Sequence, residues 1–381
     1  MPPSLYSLVM YLKLTFASSH ASSIVAAVAK VIKLELYELT IRFIFKNRIT
    51  VLTFHNNPEG WKVVMYAVET KNLTKRYGKT WALKNLDFTI DANEIMVLLG
   101  PNGSGKTTLL LILATVLKPT SGQAEVMGLD VTTQSTRVRQ ILGIAFQEAR
   151  GFWRHKPADI LRFHANVCGV PKTKRDTLIE NILRDLELWD ARNKLFMHLS
   201  GGQAKRLEVA KVFVHRPKFV ILDEPSSQVD LRGKRKIWAQ IRKLQEEGST
   251  ILIATNEVRE AEYLADRVTV LDKGKSVVCN TVRQLKDRIT GGDIVELEID
   301  SPEPKILKRA LGQIEGTVKI TNSSSNRFKA YVSMAESWVP RMTDTCYRSK
   351  ARILSIRVTE PSLDDVFLHF TGRALKGTSN E

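Results

Sequence analysis

Cysteine is scarce: Cys168, Cys279 and Cys346 are the only three in 381 residues. No two of them have the spacing of a metal site or a disulfide framework, which points to a reducing compartment and to thiols that act as packing residues. Long apolar runs are missing as well. The nearest candidate, SSIVAAVAKVIKLELYELTIRFIF from Ser22, is broken by Lys30, Lys33, Glu35, Glu38 and Arg42. It falls short of the roughly 18 to 20 uninterrupted apolar residues that cross a bilayer. The first dozen residues lack the basic start and small-residue cleavage site of a secretory signal. Any work at a membrane is therefore expected to go through a partner. Acidic residues are in the minority, 40 against 57 Lys and Arg, leaving a formal charge of +17. An excess of that size favours anionic partners, whether nucleotide phosphates, an anionic membrane face or nucleic acid. The 43% hydrophobic content is that of a folded chain with one or two ordinary cores.

Three regions differ in texture. Residues 1–64 are apolar and basic without clear caps and end in the turn-rich HNNPEGWKVV. From Met65 the text turns into alternating strand and helix patterns up to about residue 285, the mark of a parallel-rich α/β core. Residues 292–375 read as strand, helix, a hairpin around NSSSN at Asn322, helix, strand and a short last helix, LDDVFLHFTG. That β-α-β-β-α-β order predicts a C-terminal α+β domain of ferredoxin-like type.

The chemistry starts where the apolar run EIMVLL, ending at Leu99, feeds into GPNGSGKTT at 100–108 and then into the helical run LLLILATVL. Strand, glycine-rich loop and helix in this order make a phosphate cradle. In the loop Gly100, Pro101, Asn102, Gly103, Ser104 and Gly105, the glycines Gly103 and Gly105 let the backbone curl so that successive N–H groups face one concavity, and the helix start adds its positive dipole end. Lys106 supplies a point charge for the β- and γ-phosphates, the hydroxyl of Thr107 can ligate Mg²⁺, and Thr108 continues the helix start. A second element, KFVILDEP, ends a buried-strand pattern in two carboxylates. Asp223 is expected in the Mg²⁺ shell, and Glu224 is placed to orient or deprotonate an attacking water.

Between these elements lies LSGGQ at 199–203, which resembles the signature of ATP-binding cassette (ABC) ATPases. The resemblance runs densely from about residue 68 to 285. It implies a P-loop NTPase fold, a RecA-like core with the ABC β-subdomain and a helical subdomain at about 148–205 within the nucleotide-binding domain 65–285. It also implies MgATP hydrolysis between two head-to-tail copies, with Ser200, Gly201, Gly202 and Gln203 of one copy touching the γ-phosphate held by the other. Other positions match the pattern singly. Tyr77 resembles the aromatic that stacks on adenine, Gln147 the glutamine that touches Mg²⁺ and water, and Asp230 the loop that crosses the dimer interface. One position departs: where the family has a histidine after a strand, this chain has Asn256. Asparagine donates only a neutral N–H, so turnover is expected to be slowed and not abolished.

The tail EPSLDDVFLHFTGRAL from Glu360 is similar to that of stand-alone ATPases serving drug-resistance, sodium-efflux and polysaccharide exporters. Under that resemblance the chain powers a separate polytopic permease exporting a drug, lipid, ion or polysaccharide. It would sit on the cytoplasmic face of the membrane as a homodimer or heterodimer of ATPase subunits. The basic and aromatic patch Arg150, Phe152, Trp153, Arg154, His155 and Lys156 is then a candidate dock for the permease. A competing reading is an ATP-driven dimerisation switch on nucleic acid or a ribosome, encouraged by the charge and by RGKRK from Arg232. No set of stacking aromatics accompanies that run. For residues 1–64 two expectations stand: translation that begins at Met65, or an amphipathic membrane-contacting helix at about 24–45.

Overall fold

The computed structural model describes residues 9–10, 38–45, 48–57, 60–64, 66–148, 153–290, 293–322, 324, 326–359, 361–373 and 375. Near the N-terminus, β1 (Val9–Met10), β2 (Glu38–Phe45), β3 (Arg48–Asn57) and β4 (Gly60–Val64) form a four-stranded sheet. The eight residues of β2 pair antiparallel with β3. This corrects the helix expected at 24–45 over its last third. Leu39, Ile41, Phe43 and Phe45 alternate with a period of two, which suits a strand. Residues 24–37 lie outside the described residues.

The next elements are β5 (Tyr66–Tyr77), β6 (Thr80–Asp91), β7 (Ile95–Leu99), α1 (Lys106–Leu113), β8 (Ser121–Val126) and β9 (Leu129–Asp130). Strands β6, β5, β8 and β9 make an antiparallel sheet in that order. Then come α2 (Ser135–Ile141), β10 (Leu142–Ala145), α3 (Pro157–Val167), α4 (Lys172–Asp185), α5 (Gly201–Phe213), β11 (Phe219–Asp223), α6 (Leu231–Glu246) and β12 (Thr250–Thr255). After them follow α7 (Val258–Leu264), β13 (Arg267–Asp272), β14 (Lys275–Asn280) and α8 (Val282–Thr290). The main sheet has the order β10-β11-β12-β7-β13-β14, with β10, β11 and β12 parallel. Every residue of β7, β11 and β12 is buried. Such strands read as unbroken apolar runs because helices cover both faces of a parallel sheet. Helix α6 buries Ile237, Trp238, Ile241 and Leu244 on one stripe and leaves its basic face to solvent.

The C-terminal elements are β15 (Asp293–Asp300), α9 (Pro304–Gly312), β16 (Thr317–Asn322), β17 (Arg327–Val332), α10 (Ala335–Arg348), β18 (Arg352–Thr359) and α11 (Leu363–Thr371). Their four strands form an antiparallel sheet in the order β16-β17-β15-β18. Alternate residues Val295, Leu297 and Ile299 of β15 meet Phe328, Ala330 and Val332 of β17 in a core closed by Leu307, Leu311, Trp338, Met342 and Cys346. Helix α11 starts with a capping box between Ser362 and Asp365. Asp365 also accepts from Lys329 Nζ at 2.8 Å. Glu262 on α7 accepts from the Leu363 N–H at 3.2 Å and pairs with Lys286 of α8 at 2.9 Å. By contacts the chain divides into two compact units, one of residues 1–96, 105–254 and 273–275, the other of 97–104, 255–272 and 276–381. Among the described residues no helix is long and apolar enough to cross a membrane.

Candidate active site

The glycine-rich loop is shaped by sterics. A Cβ on Gly100 would lie 2.4 Å from the Leu271 carbonyl oxygen and 2.7 Å from Ser104 Oγ, so no larger residue fits. Gly105, at φ 107°, opens α1 in a conformation that L side chains avoid. Among the described residues Ser104 Oγ is buried and has no hydrogen-bond partner. Buried hydroxyls are normally paired, so this one is a donor waiting for an acceptor in the loop. The first helical residue, Lys106, is only 6% exposed. Burial pushes its pKa down, and the nearby Glu224 and Asp223 carboxylates partly oppose that.

Strand β11 delivers the two carboxylates. Its register against β12 sets Asp223 beside Ala254, and Glu224 donates its N–H to the Ala254 carbonyl at 2.8 Å. Asp223 Oδ2 accepts from Thr107 Oγ1 at 3.1 Å. Burial raises the Asp223 pKa; the Thr107 bond works against this, Glu224 adds to it, and the cations Lys106 and Lys205 oppose it. Glu224 has φ +47°, a left-handed conformation that costs a non-glycine residue about 1–3 kcal/mol. Its Oε2 accepts from Gln147 Nε2 at 3.2 Å. Thr107, Gln147, Asp223 and Glu224, far apart in sequence, thus converge with Lys106.

Ser200 caps α5: its Oγ accepts from the Gln203 N–H at 3.2 Å, and Gln203 Oε1 accepts from the Ser200 N–H at 3.1 Å. Gly201 and Gly202 are not forced by crowding, since an added Cβ meets nothing closer than 3.6 and 3.5 Å. Asp230 caps α6 by accepting from the Gly233 N–H at 2.7 Å. Tyr77 ends β5 half exposed, with Lys75 Nζ 5.3 Å from its ring centroid. Asn256, half-buried, follows β12. In the basic and aromatic patch, Arg150 and Phe152 lie outside the described residues. Trp153 is 74% exposed, and the carbonyls of Trp153 and His155 accept from Met197 and Phe196. Arg232 of the RGKRK run is paired with Glu187 at 2.8 Å.

Two findings differ from the sequence reading. Cys168 and Cys279 are exposed, and of the three cysteines only Cys346 is packed. Cys168 falls at the C-cap of α3 and Cys279 on an outward position of β14, so neither faces a core. The second finding is Lys205, which sequence reasoning passed over. It is 3% exposed, and its Nζ donates to three main-chain carbonyls. The signal was there: Lys205, Glu208, Val209 and Val212 share the buried stripe of α5, which puts two charges on an inward face.

Comparison with known proteins agrees with this geometry. The family model described as ABC transporter matches residues 83–227. A daunorubicin resistance ATP-binding protein of Streptomyces coeruleorubidus is 31% identical over 315 residues, spanning 82% of this chain and 97% of the relative. A Nod factor export ATP-binding protein of Rhizobium etli is 29% identical, over 83% of this chain and 96% of its own length. Among solved structures, a dimeric ATP-binding cassette in a post-hydrolysis state with ADP and phosphate is 25% identical. It superposes with a TM-score of 0.53 over 56% of this chain and 98% of that one. The P-loop, the paired carboxylates and these likenesses together make the chain a member of the ABC transporter ATP-binding protein family, the ATPases that hydrolyse ATP to energise transport.

Proposed function

We propose that this chain is the ATP-hydrolysing subunit of an exporter whose membrane permease is a separate polypeptide, and that two ATPase subunits close head to tail around two MgATP. The observation that carries the reading is the convergence of Thr107, Gln147, Asp223 and Glu224 beside the buried Lys106. In this reading the loop 100–105 and the N-terminus of α1 cradle the phosphates, with the unpaired Ser104 hydroxyl and the Lys106 ammonium as donors. Tyr77 stacks on adenine. Thr107 Oγ1, Asp223 Oδ2 and the Gln147 side-chain amide offer the hard oxygen donors that Mg²⁺ prefers, phosphate oxygens completing the set. When bound, the cation neutralises charge on the transferring phosphoryl group. Glu224, fixed by its main-chain bond to Ala254 and held by Gln147, orients the attacking water and takes its proton.

The second half of each site comes from the other subunit. Gly201 and Gly202 have no packing reason within this chain to be glycine, which supports a role in letting a phosphate approach the backbone at the start of α5. Ser200 Oγ and Asp230 serve as helix caps in the single chain and gain nucleotide and interface contacts on closure. Asn256, in place of histidine, gives up a charge-assisted contact to the γ-phosphate. The four-stranded C-terminal sheet, with two crossover helices in β-α-β-β-α-β order, we read as a ferredoxin-like accessory domain. The patch around Trp153 docks the permease, which holds the ATPase at the cytoplasmic membrane face. The cargo belongs to the class of drugs, lipids, ions or polysaccharides, in keeping with the export functions in the names of the relatives. Co-expression with a polytopic membrane protein encoded beside it tests this. Recovery of a complex whose ATPase is stimulated by cargo supports the proposal; recovery with nucleic acid and no membrane protein contradicts it.

A further inference from the structure

Lys205 is an unusual group to find inside a helical subdomain. An ammonium has three N–H donors and no acceptor, and leaving any donor unpaired away from water is costly. Here all three are used. Nζ donates to the carbonyl oxygens of Gln147 at 2.7 Å, Phe146 at 3.0 Å and Asp223 at 3.3 Å. These acceptors belong to two separate stretches: the chain leaving β10, which carries Gln147, and the last residue of β11, which carries Asp223 and leads into Glu224. Both stretches end in the side chains that hold the Mg²⁺ and water positions. The backbone of each is thus tied to one point, and that point rides on α5. Methionine, a neutral side chain of the same length, cannot replace this, since it has no donor.

The other end of the lever is Ser200. It caps α5 five residues before Lys205, about 7–8 Å away along the helix axis. One helix therefore joins the residue offered to the nucleotide of the other subunit to the backbone that aims this subunit's own Gln147 and Glu224. We infer that Lys205 is a positioning residue which sets Gln147 and Asp223 for hydrolysis and couples the two ATP sites through α5. The inference rests on the two-copy reading above. It goes further by naming the connection inside each subunit through which occupancy of one site reaches the machinery of the other.

Lys205 touches no substrate in this scheme, so its loss should leave nucleotide binding by the single chain intact and impair hydrolysis and cooperativity. The test is a double-mutant cycle on the full chain, measuring ATP affinity, kcat and the Hill coefficient for wild type, Lys205→Met, Gln147→Ala and the double variant. Lys205→Arg serves as the conservative rescue. The expected result is an ATP Kd within twofold of wild type for Lys205→Met, kcat lower by about 10- to 100-fold and a Hill coefficient falling toward one. Lys205→Arg should recover most of kcat. In the Gln147→Ala background the same lysine change should cost at least threefold less than in the wild-type background, because interacting residues are non-additive. Equal losses in both backgrounds, or an unchanged Hill coefficient, would overturn the proposal and leave Lys205 a packing residue. Where Lys205→Met yields too little folded protein, Lys205→Gln keeps an amide donor and carries the same comparison. A Glu224→Gln chain that still hydrolyses ATP at the wild-type rate would instead sink the proposed function, whatever Lys205 does.

Discussion

The two halves of the proposed ATP site are built in opposite ways. The half that holds the chain's own nucleotide is buried and fixed: Lys106 and Asp223 are 6% and 5% exposed, and Glu224 sits in a left-handed conformation. The half that faces another subunit is exposed, and its polar groups are satisfied locally, Ser200 by Gln203 and Asp230 by Gly233. Preorganised dipoles and charges are most effective where reorganisation is avoided, which accounts for the rigid half. The other half must be soluble alone and still be able to meet a phosphate, and a helix cap satisfies both demands. In the proposed dimer, catalytic competence is thus stored in one half and released by contact with the other.

Substitutions should separate the halves in order of size. Glu224→Gln should lower kcat by about 10²–10⁴-fold with little change in ATP affinity, measured by steady-state phosphate release. Lys106→Ala should raise the Kd for ATP by roughly 10- to 100-fold, since a charge-assisted bond contributes about 1.5–3 kcal/mol; titration calorimetry reads this. Ser200→Ala should slow turnover about tenfold without weakening nucleotide binding to the single chain, and should remove about 1 kcal/mol from helix α5. If Ser200→Ala instead weakens binding to the single chain, the division into halves is wrong. Asn256→His should raise turnover more than twofold at unchanged affinity; a smaller rise means the asparagine is not limiting.

Asp365, at the start of α11, provides a control outside the residues assigned to either half. Burial pushes the Asp365 pKa up, but the bonds from Lys329 and from Ser362 outweigh it and hold the carboxyl below its ordinary value. A depressed folded pKa contributes stability above the unfolded value near 3.8 that is lost as pH falls through the folded one. Asp365→Asn should therefore lower the denaturation midpoint at pH 7 and flatten the loss of stability below pH 4, with the ATP Kd unchanged. Circular dichroism melts at the two pH values check it.

Much of this was legible in the sequence, for physical reasons. The phosphate loop and Asp223–Glu224 were readable because a buried parallel strand leaves an unbroken apolar run that points at its own end. The elements from β15 to α11 were readable through alternation in Val295, Leu297 and Ile299 and the four-residue spacing of Trp338, Met342 and Cys346. Lys205 was not, because a lysine on a helix is normally solvated and only its place on the inward stripe betrays it. The positive φ of Glu224 leaves no mark on residue type at all. Cys168 and Cys279 were misread since their exposure depends on which way a helix end and a strand face turn. Strand β2 was mistaken for part of a helix because its largely apolar composition suits either, and only the two-residue period decides.

The most direct test of a site shared between copies is complementation by mixing. Glu224→Gln disables the fixed half and Ser200→Arg the facing half, so each variant alone should be nearly inactive. In a mixed dimer one site combines the intact half of each chain. An equal mixture should therefore recover roughly a quarter of wild-type turnover, because half of the dimers are mixed and each has one working site of two. A mixture no more active than the sum of its parts would contradict the account.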